Sequence, residues 1–333
     1  MKTNVFILTS QGKLQVQSKD LNLIPTDSLN FLWLDLQLEN STDQAALTTL
    51  LHEHFKFHPL SLEDCIQPNP TPKVEEFLPK EGDEFQPYLF LVMHAVQYSS
   101  ETRTFSTREL HCFLGKNFLV TVHDSTLRCI DALQAHLVNG NLPVSKAPDR
   151  LLHLLVDRLT ENYNPELLQL SKEIDLLEEQ TFIRPTKDIL TTIFLLKKAI
   201  TALKQVLIPQ QDILGHLSSG ELKFIRPKLL PYFRDTNDSL AATLNNARNY
   251  SDSLTALLQV YLNLSSNQTG EVVKILTLIT VVTTPLMMIG TWYGMNFKGM
   301  PELDANHGYA IAASCMFVST VLTYWFFKRK RWF

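Results

Sequence analysis

Thr277, Thr280, Thr284 and Thr291 recur within an otherwise apolar stretch, and Gly294, Met295 and Asn296 follow it. At 100° per residue the four threonines share one helix face with Val273 and Met287, while Thr283 lies off it. Such a face has two chemistries open to it. In a membrane helix, threonine hydroxyls can bond their own backbone carbonyls or hold helices together. The other reading is a water-accessible path, continued by Asn296, in which several copies set a ring of hydroxyls with one methionine constriction. A carboxamide oxygen is a neutral, hard acceptor, so a ring of Asn296 side chains could hold a hydrated cation without trapping it by charge. That chemistry suits Mg²⁺, which gives up its waters reluctantly. Gly294 permits the tight turn and close backbone approach that such a ring needs.

The elements that must position these residues are two apolar stretches. From Val272 to Tyr293 the only charge is Lys274, and from Gly308 to Phe327 there is none. About 20 residues of helix cross roughly 30 Å of hydrocarbon, so both read as membrane spans. Past Lys274 neither carries Asp, Glu or His, so no proton relay is visible. The closing "FKRKRWF" holds four basic residues and is expected to stay in the cytoplasm. The N-terminal part then lies on the same side, and the connection carrying Lys298, Glu302 and Asp304 faces out. The opening "MKTNVFILTSQGKLQVQSKD" is too briefly apolar for a signal peptide. Two spans cannot enclose an ion path alone, so identical copies must form a ring around a common axis. Pro285 removes one hydrogen bond from the first span, which neighbouring helices can tolerate.

Bulk properties narrow the classes. At 333 residues the chain has room for a globular domain and more. A net charge of −4 argues against nucleic acid as a partner. Cys65, Cys112, Cys129 and Cys315 are scattered, which argues against a disulfide framework or a zinc ribbon. No P-loop, nucleophile elbow or GxGxxG occurs. The chain is expected to be no enzyme and to need no cofactor.

An α/β domain is expected over residues 1–145. Its strands are "VFILTS", "FLWLDLQ", "YLFLVMHAVQYSS", "TRELHCFLG" and "NFLVTVHD". "STDQAALTTLLHEHF" reads as a helix capped by Ser41 or Thr42, with Leu47, Leu50 and Leu51 on one face. "HPLSLEDC" reads as a short second helix, and "QPNPTPKVEEFLPKEGDEFQP" as a Pro-rich loop. A helical hairpin over 146–230 follows, its first arm running unbroken from Arg150 to Phe182. A stalk helix over 231–293 then passes into the first span at about 272. About 63 residues would make it roughly 95 Å long. Its seam of Leu240, Leu244, Ala247, Ser251, Leu254, Leu258 and Tyr261 implies self-association. The external loop is 294–307, the second span 308–327 and the basic tail 328–333.

"YGMNFKGMPEL" between two terminal spans resembles the signature of the CorA family of divalent-cation channels. "HPLSLEDC", "PTPKVEEF", "RELHCFLGKNFLVTVH", "PYFRD" and "FFKRKRWF" resemble further family blocks, in order, across nearly the whole chain. The resemblance implies a homopentameric funnel in a bacterial inner (plasma) membrane, with N- and C-termini cytoplasmic. It implies passive Mg²⁺ entry, with Co²⁺ or Ni²⁺ also carried, driven by the membrane potential. Gly294, Met295 and Asn296 would form the selectivity ring. Met300, Pro301, Glu302 and Leu303 would make the outer loop, with Glu302 enriching cations at the mouth. Val273, Leu276, Thr277, Thr280, Thr284, Met287 and Thr291 would line the pore, gated at Val273, Leu276 and Met287. Intracellular Mg²⁺ would be sensed by Asp235 of "FRD" with acidic partners from Glu76, Asp83 and Glu84, where "LPKEGDE" is longer than the family pattern.

Two other readings compete. A zinc transporter of the ZntB type shares Gly-Met-Asn, but those proteins usually lack the "MPEL" present here. A membrane-anchored signalling or scaffold protein would need neither the threonine stripe nor Asn296. His52, His54 and His58 read as a surface helix end rather than a metal site. Glu173, Asp175, Glu178 and Glu179 read as a solvated face.

Overall fold

The computed structural model describes residues 1–9, 14–16, 30–40, 43–66, 71–138, 147–295, 299–301 and 307–330. It divides into two compact units, Met1–Leu258 and Gln259–Phe333.

The first unit is built on a seven-stranded sheet of β1 (Lys2–Thr9), β2 (Leu14–Val16), β3 (Asn30–Gln37), β4 (Lys73–Phe77), β5 (Tyr88–Ser99), β6 (Thr104–Leu114) and β7 (Phe118–His123), ordered β2-β1-β3-β7-β6-β5-β4. Among the described residues only β3 and β7 pair in parallel. Strand alternation sorts the apolar side chains into two cores. On one face Leu34, Leu36, Phe90, Phe113 and Val120 meet Leu47, Leu51 and Phe55 of α1 (Asp43–Phe55) and Leu62 of α2 (Pro59–Ile66). On the other, Trp33, Leu91, Cys112 and Leu119 meet α3 (Arg128–Val138), α4 (Pro148–Glu161), α5 (Tyr163–Ile183), α6 (Lys187–Ser219) and the start of α7 (Leu230–Tyr293). Burial on both faces explains why the strands read as almost unbroken apolar runs. At the tight β6–β7 turn a Cβ on Gly115 would stand 2.2 Å from the Phe118 ring, so only glycine fits.

Several expectations are corrected. The Pro-rich stretch read as a loop contains β4, paired antiparallel with β5 from Lys73↔Val92 to Phe77↔Tyr88. The expected unbroken arm from Arg150 to Phe182 is two helices, parted at Asn162. Among the described residues, the segment 146–230 therefore holds three α-helices and a short 3-10 turn, Pro227–Leu229, rather than a hairpin, with Gly220, at φ +86°, ending α6. Ser41 and Thr42, the expected caps of α1, lie outside the described residues. Asp43 accepts from the backbone N–H groups of Glu39 and Asn40 at 3.0 and 3.1 Å. The α7 seam has partners within its own chain. Leu240, Leu244 and Ala247 are buried in the same core as Leu203, Leu207, Leu214 and Leu217 of α6. Lys204 Nζ and Lys197 Nζ donate to Ser251 Oγ and Thr255 Oγ1 at 3.3 and 3.0 Å. Burial of this part of the seam thus does not require a second copy.

Buried polar groups tie these layers together. Tyr163 OH donates to Gln210 Oε1 at 2.8 Å and lies 2.6 Å from the His94 carbonyl, while His94 N–H donates to Gln210 Oε1 at 3.2 Å. Arg226 makes a two-pronged pair with Asp149, 2.7 Å on each prong, just ahead of α7. Under the sheet Asp35, 2% exposed, accepts from Thr121 Oγ1 and Gln134 Nε2 at 2.7 Å each and from Asn4 Nδ2 at 3.3 Å. His123 Nε2 stands 3.2 Å from the same carboxylate.

The second unit contains the rest of α7 and α8 (Gly308–Arg329). Each belongs to a helix long and apolar enough to cross a membrane. The second runs two residues past the expected end at Phe327, through Lys328 and Arg329.

Candidate ion path

The part of α7 that carries the threonine stripe is helical without a break through Pro285 to Tyr293. Val273, Leu276, Thr277, Thr280, Thr284, Met287 and Thr291 fall within an arc of about 100° on it. The face is open: Val273, Leu276 and Met287 are exposed. Each hydroxyl turns back on its own helix. Thr277 donates to the Val273 carbonyl at 2.8 Å, Thr280 to Leu276 at 2.9 Å, Thr284 to Thr280 at 2.6 Å and Thr291 to Met287 at 2.6 Å. Thr283, off the stripe, does the same with Ile279 at 2.9 Å. This bonding commits the hydroxyl protons and leaves the oxygen lone pairs as the only polar feature of the face.

The helix ends as a glycine allows. Gly294 N–H donates to the Gly290 carbonyl at 3.0 Å, and Met295 N–H to Trp292 at 3.4 Å. A Cβ on Gly294 would lie 3.1 Å from the Gly290 oxygen, so any side chain would press on the last turn. Asn296, Glu302 and Leu303 lie outside the described residues. Gly299 and Pro301, on either side of Met300, lie in turns.

The acidic residues expected to sense Mg²⁺ are dispersed. Glu76 Oε1 accepts from Lys223 N–H at 2.7 Å, Asp83 Oδ2 caps a turn through Lys80 N–H at 2.8 Å, and Glu84 pairs with Lys56 at 3.4 Å. Asp235 is exposed near the start of α7. Among the described residues no three His, Cys, Asp or Glu side chains gather to hold an ion. His153 and Asp157, absent from the sequence expectations, stand near Asp235. Thr236 donates to Asp157 Oδ1 at 2.9 Å and lies 3.4 Å from His153 Nε2. Burial pushes the His153 imidazole below its ordinary value, only partly countered by Asp157 and Asp235. These pairings span about 80 residues, and no local sequence signal announces them. His58 is a helix cap: its Nδ1 accepts from Leu60 N–H at 3.2 Å, and its ring packs on Phe77 and Phe85.

The model of the family described as CorA-like Mg²⁺ transporter protein matches residues 28–329. The chain belongs to this family. CorA-like proteins are ion transporters rather than enzymes, and the absence of a catalytic constellation from the sequence accords with that. The cobalt/magnesium transport protein CorA of Thermotoga maritima is 31% identical over 307 residues, covering 92% of this chain and 84% of that protein. Among solved structures, the complete CorA magnesium transporter from Methanocaldococcus jannaschii superposes with a TM-score of 0.84 at 18% identity. That match covers 100% of this chain and 99% of the other. The ZntB cytoplasmic domain from Vibrio parahaemolyticus is more distant, with a TM-score of 0.64 at 10% identity over 80% of this chain. At such identities the structural matches speak for the fold: an α/β domain, long helices and two C-terminal apolar helices.

Proposed function

We propose that five copies of the chain form a ring in a bacterial inner membrane and pass Mg²⁺, and also Co²⁺ or Ni²⁺, passively into the cell down the membrane potential. The stripe from Val273 to Thr291 would line the pore, and Gly294, Met295 and Asn296 would form its filter. The observation that carries this reading is the open, one-sided face itself, on which Thr277, Thr280, Thr284 and Thr291 line up with exposed Val273, Leu276 and Met287. A hydrated cation turns the hydrogens of its waters outward, and those hydrogens need acceptors. A ring of hydroxyl oxygens whose own protons are engaged supplies them without charge. Asn296 would continue the same chemistry with carboxamide oxygens, matching an ion that keeps its water shell. Exposed Val273, Leu276 and Met287 would supply apolar rings able to dewet and close the path. Both termini would face the cytoplasm, and Met300, Pro301, Glu302 and Leu303 would cover the outer mouth. Asp235 of one copy and Glu76, Asp83 or Glu84 of the next would bind cytosolic Mg²⁺. Ions held there would relieve carboxylate repulsion and keep the ring closed.

The test is potential-driven Mg²⁺ entry into proteoliposomes containing the purified protein, with Zn²⁺ in parallel and Asn296→Ala as the variant. Mg²⁺ flux reduced at least about tenfold by the variant is expected of a filter ring. Zn²⁺ flux without Mg²⁺ flux would move the chain to zinc transport. Equal flux in the variant would take the filter away from Asn296.

A further inference from the structure

The parallel strands β3 and β7 part company at their carboxyl ends. The chain leaving β3 passes to α1 and α2 on one face of the sheet, and the chain leaving β7 passes to α3 on the other. Adjacent parallel strands whose connections depart to opposite faces leave a crevice between them, and open α/β sheets bind ligands in such crevices. Here the crevice is a cavity of about 350 Å³, large enough for a small molecule. Leu38 and Asp124, which follow β3 and β7, both line it, together with Gln44 of α1 and Ile66 of α2.

The polar wall of this cavity is acidic. β6 and β7 pair out to Leu110↔His123, and one step further sets Glu109 opposite Asp124. Both carboxylates line the cavity. Like charges directly opposed on one face of an antiparallel pair repel. Asp124 meets Arg108 Nη1 at 3.6 Å, but both side chains are more than half exposed, and such a contact is worth little. Glu109 Oε2 stands 3.2 Å from His111 Nε2, and its Oε1 stands 4.0 Å from His94 Nε2. His111 also lines the cavity and is 4% exposed, and its Nδ1 has no hydrogen-bond partner among the described residues. The tautomer that fits carries its proton on Nε2 and donates it to Glu109. His111 thus satisfies one carboxylate oxygen without cancelling the charge.

We propose that this cavity binds a small molecule bearing a primary ammonium group on a short aliphatic body. The ammonium would sit between Glu109 and Asp124. Its third proton would go to the carboxamide oxygen of Gln44, whose Nε2 donates to the Ile66 carbonyl at 3.5 Å. Leu38, Ile66 and Val122 would cover the aliphatic part. A metal ion is the poorer occupant. Among the described residues no three His, Cys, Asp or Glu side chains gather to hold one, and the apolar wall offers it nothing. The site lies within the soluble unit of a single copy, so it stands or falls apart from the ion path and ring proposed above.

Binding of radiolabelled butylammonium to the full-length protein in detergent would be followed by equilibrium dialysis against protein-free micelles. Excess Mg²⁺ at constant ionic strength and unlabelled 1-butanol would serve as competitors. Saturable binding of one probe per chain is expected, unmoved by either competitor. Asp124→Asn and Glu109→Gln should each weaken it roughly tenfold. Asp124 is 57% exposed at its side chain, so Asp124→Asn keeps the fold and decides alone if Glu109→Gln, which also unpairs His111, does not fold. No saturable binding, displacement by Mg²⁺ or by 1-butanol, or undiminished affinity in Asp124→Asn overturns the site.

Discussion

In the unit from Met1 to Leu258, Asp35 is closed off from water and takes hydrogen bonds from side chains on β1, β7 and α3. In the unit from Gln259 to Phe333, every threonine hydroxyl on α7 and α8 returns to a carbonyl of its own helix, from Thr269 to Thr323. The first unit spends its polar groups on joining distant segments. The second needs no distant segment to satisfy its own, and leaves α8 without one buried residue. A self-satisfied helix with apolar flanks is what a lipid environment demands, since no water is at hand to complete a bond. The difference separates two jobs. One unit holds its own shape through hydrogen bonds between distant segments, and the other satisfies its threonines within single helices.

The largest expected break in that contrast is Asp35→Ala. It removes the shared acceptor and strands Thr121, Gln134 and His123, which should cost about 3–5 kcal/mol. The melting temperature of the detergent-solubilised protein, followed by circular dichroism, should fall by roughly 10 °C. A fall under about 2 °C would mean that the buried network does not hold the sheet together.

Thr280→Val with Thr284→Val probes the other side. The helix keeps its backbone bonds, so melting should not change. Mg²⁺ flux should drop roughly fivefold through loss of acceptors worth about 1 kcal/mol. Undiminished flux would remove the hydroxyl face from the ion path.

The smallest effect is pH-linked and confined to the soluble unit. Burial alone would lower the His123 imidazole, but Asp35 and the Ser125 carbonyl more than offset this and hold it above its ordinary value. A raised imidazole contributes stability that is complete below the unfolded value of about 6.5 and is lost as pH rises through the folded one. The melting temperature should therefore fall from pH 6 to pH 9 more in the wild type than in His123→Gln. Parallel pH profiles would show that the pair with Asp35 carries no linkage.

The helices and strands that do most of the positioning were legible because their signals are local. β1, β3, β5, β6 and β7 are dense in Val, Leu and Phe, and the uncharged length of α8 speaks for itself. β4 was hidden because prolines bracket "KVEEF", and a Pro-dense neighbourhood looks like a loop until β5 supplies its partner. The break at Asn162 was invisible because apolar spacing continues across it, and only Pro165 in the first turn of α5 marks the new start. The α7 seam was legible as a seam but not as to its partner, since helical spacing cannot distinguish a second copy from α6. The stripe on α7 was readable to the residue, whereas the direction of each hydroxyl proton is a property of the folded helix. Asp35 gave no warning at all: one carboxylate in "FLWLDLQ" becomes a hub only when β7 and α3 arrive beside it.

That late arrival has a consequence in time. Asp35 and Thr121 are 86 residues apart, and the parallel pairing of β3 with β7 joins the middle of the sheet across that distance. At synthesis rates of about 5–20 residues per second, β3 leaves the ribosome roughly 4–17 s before its central neighbour exists. Until then "FLWLDLQ" has β1 on one side and an open edge on the other. The nascent chain thus carries an apolar strand with an unpaired edge for seconds, and the stretch up to His123 is where trigger-type chaperones would have most to hold.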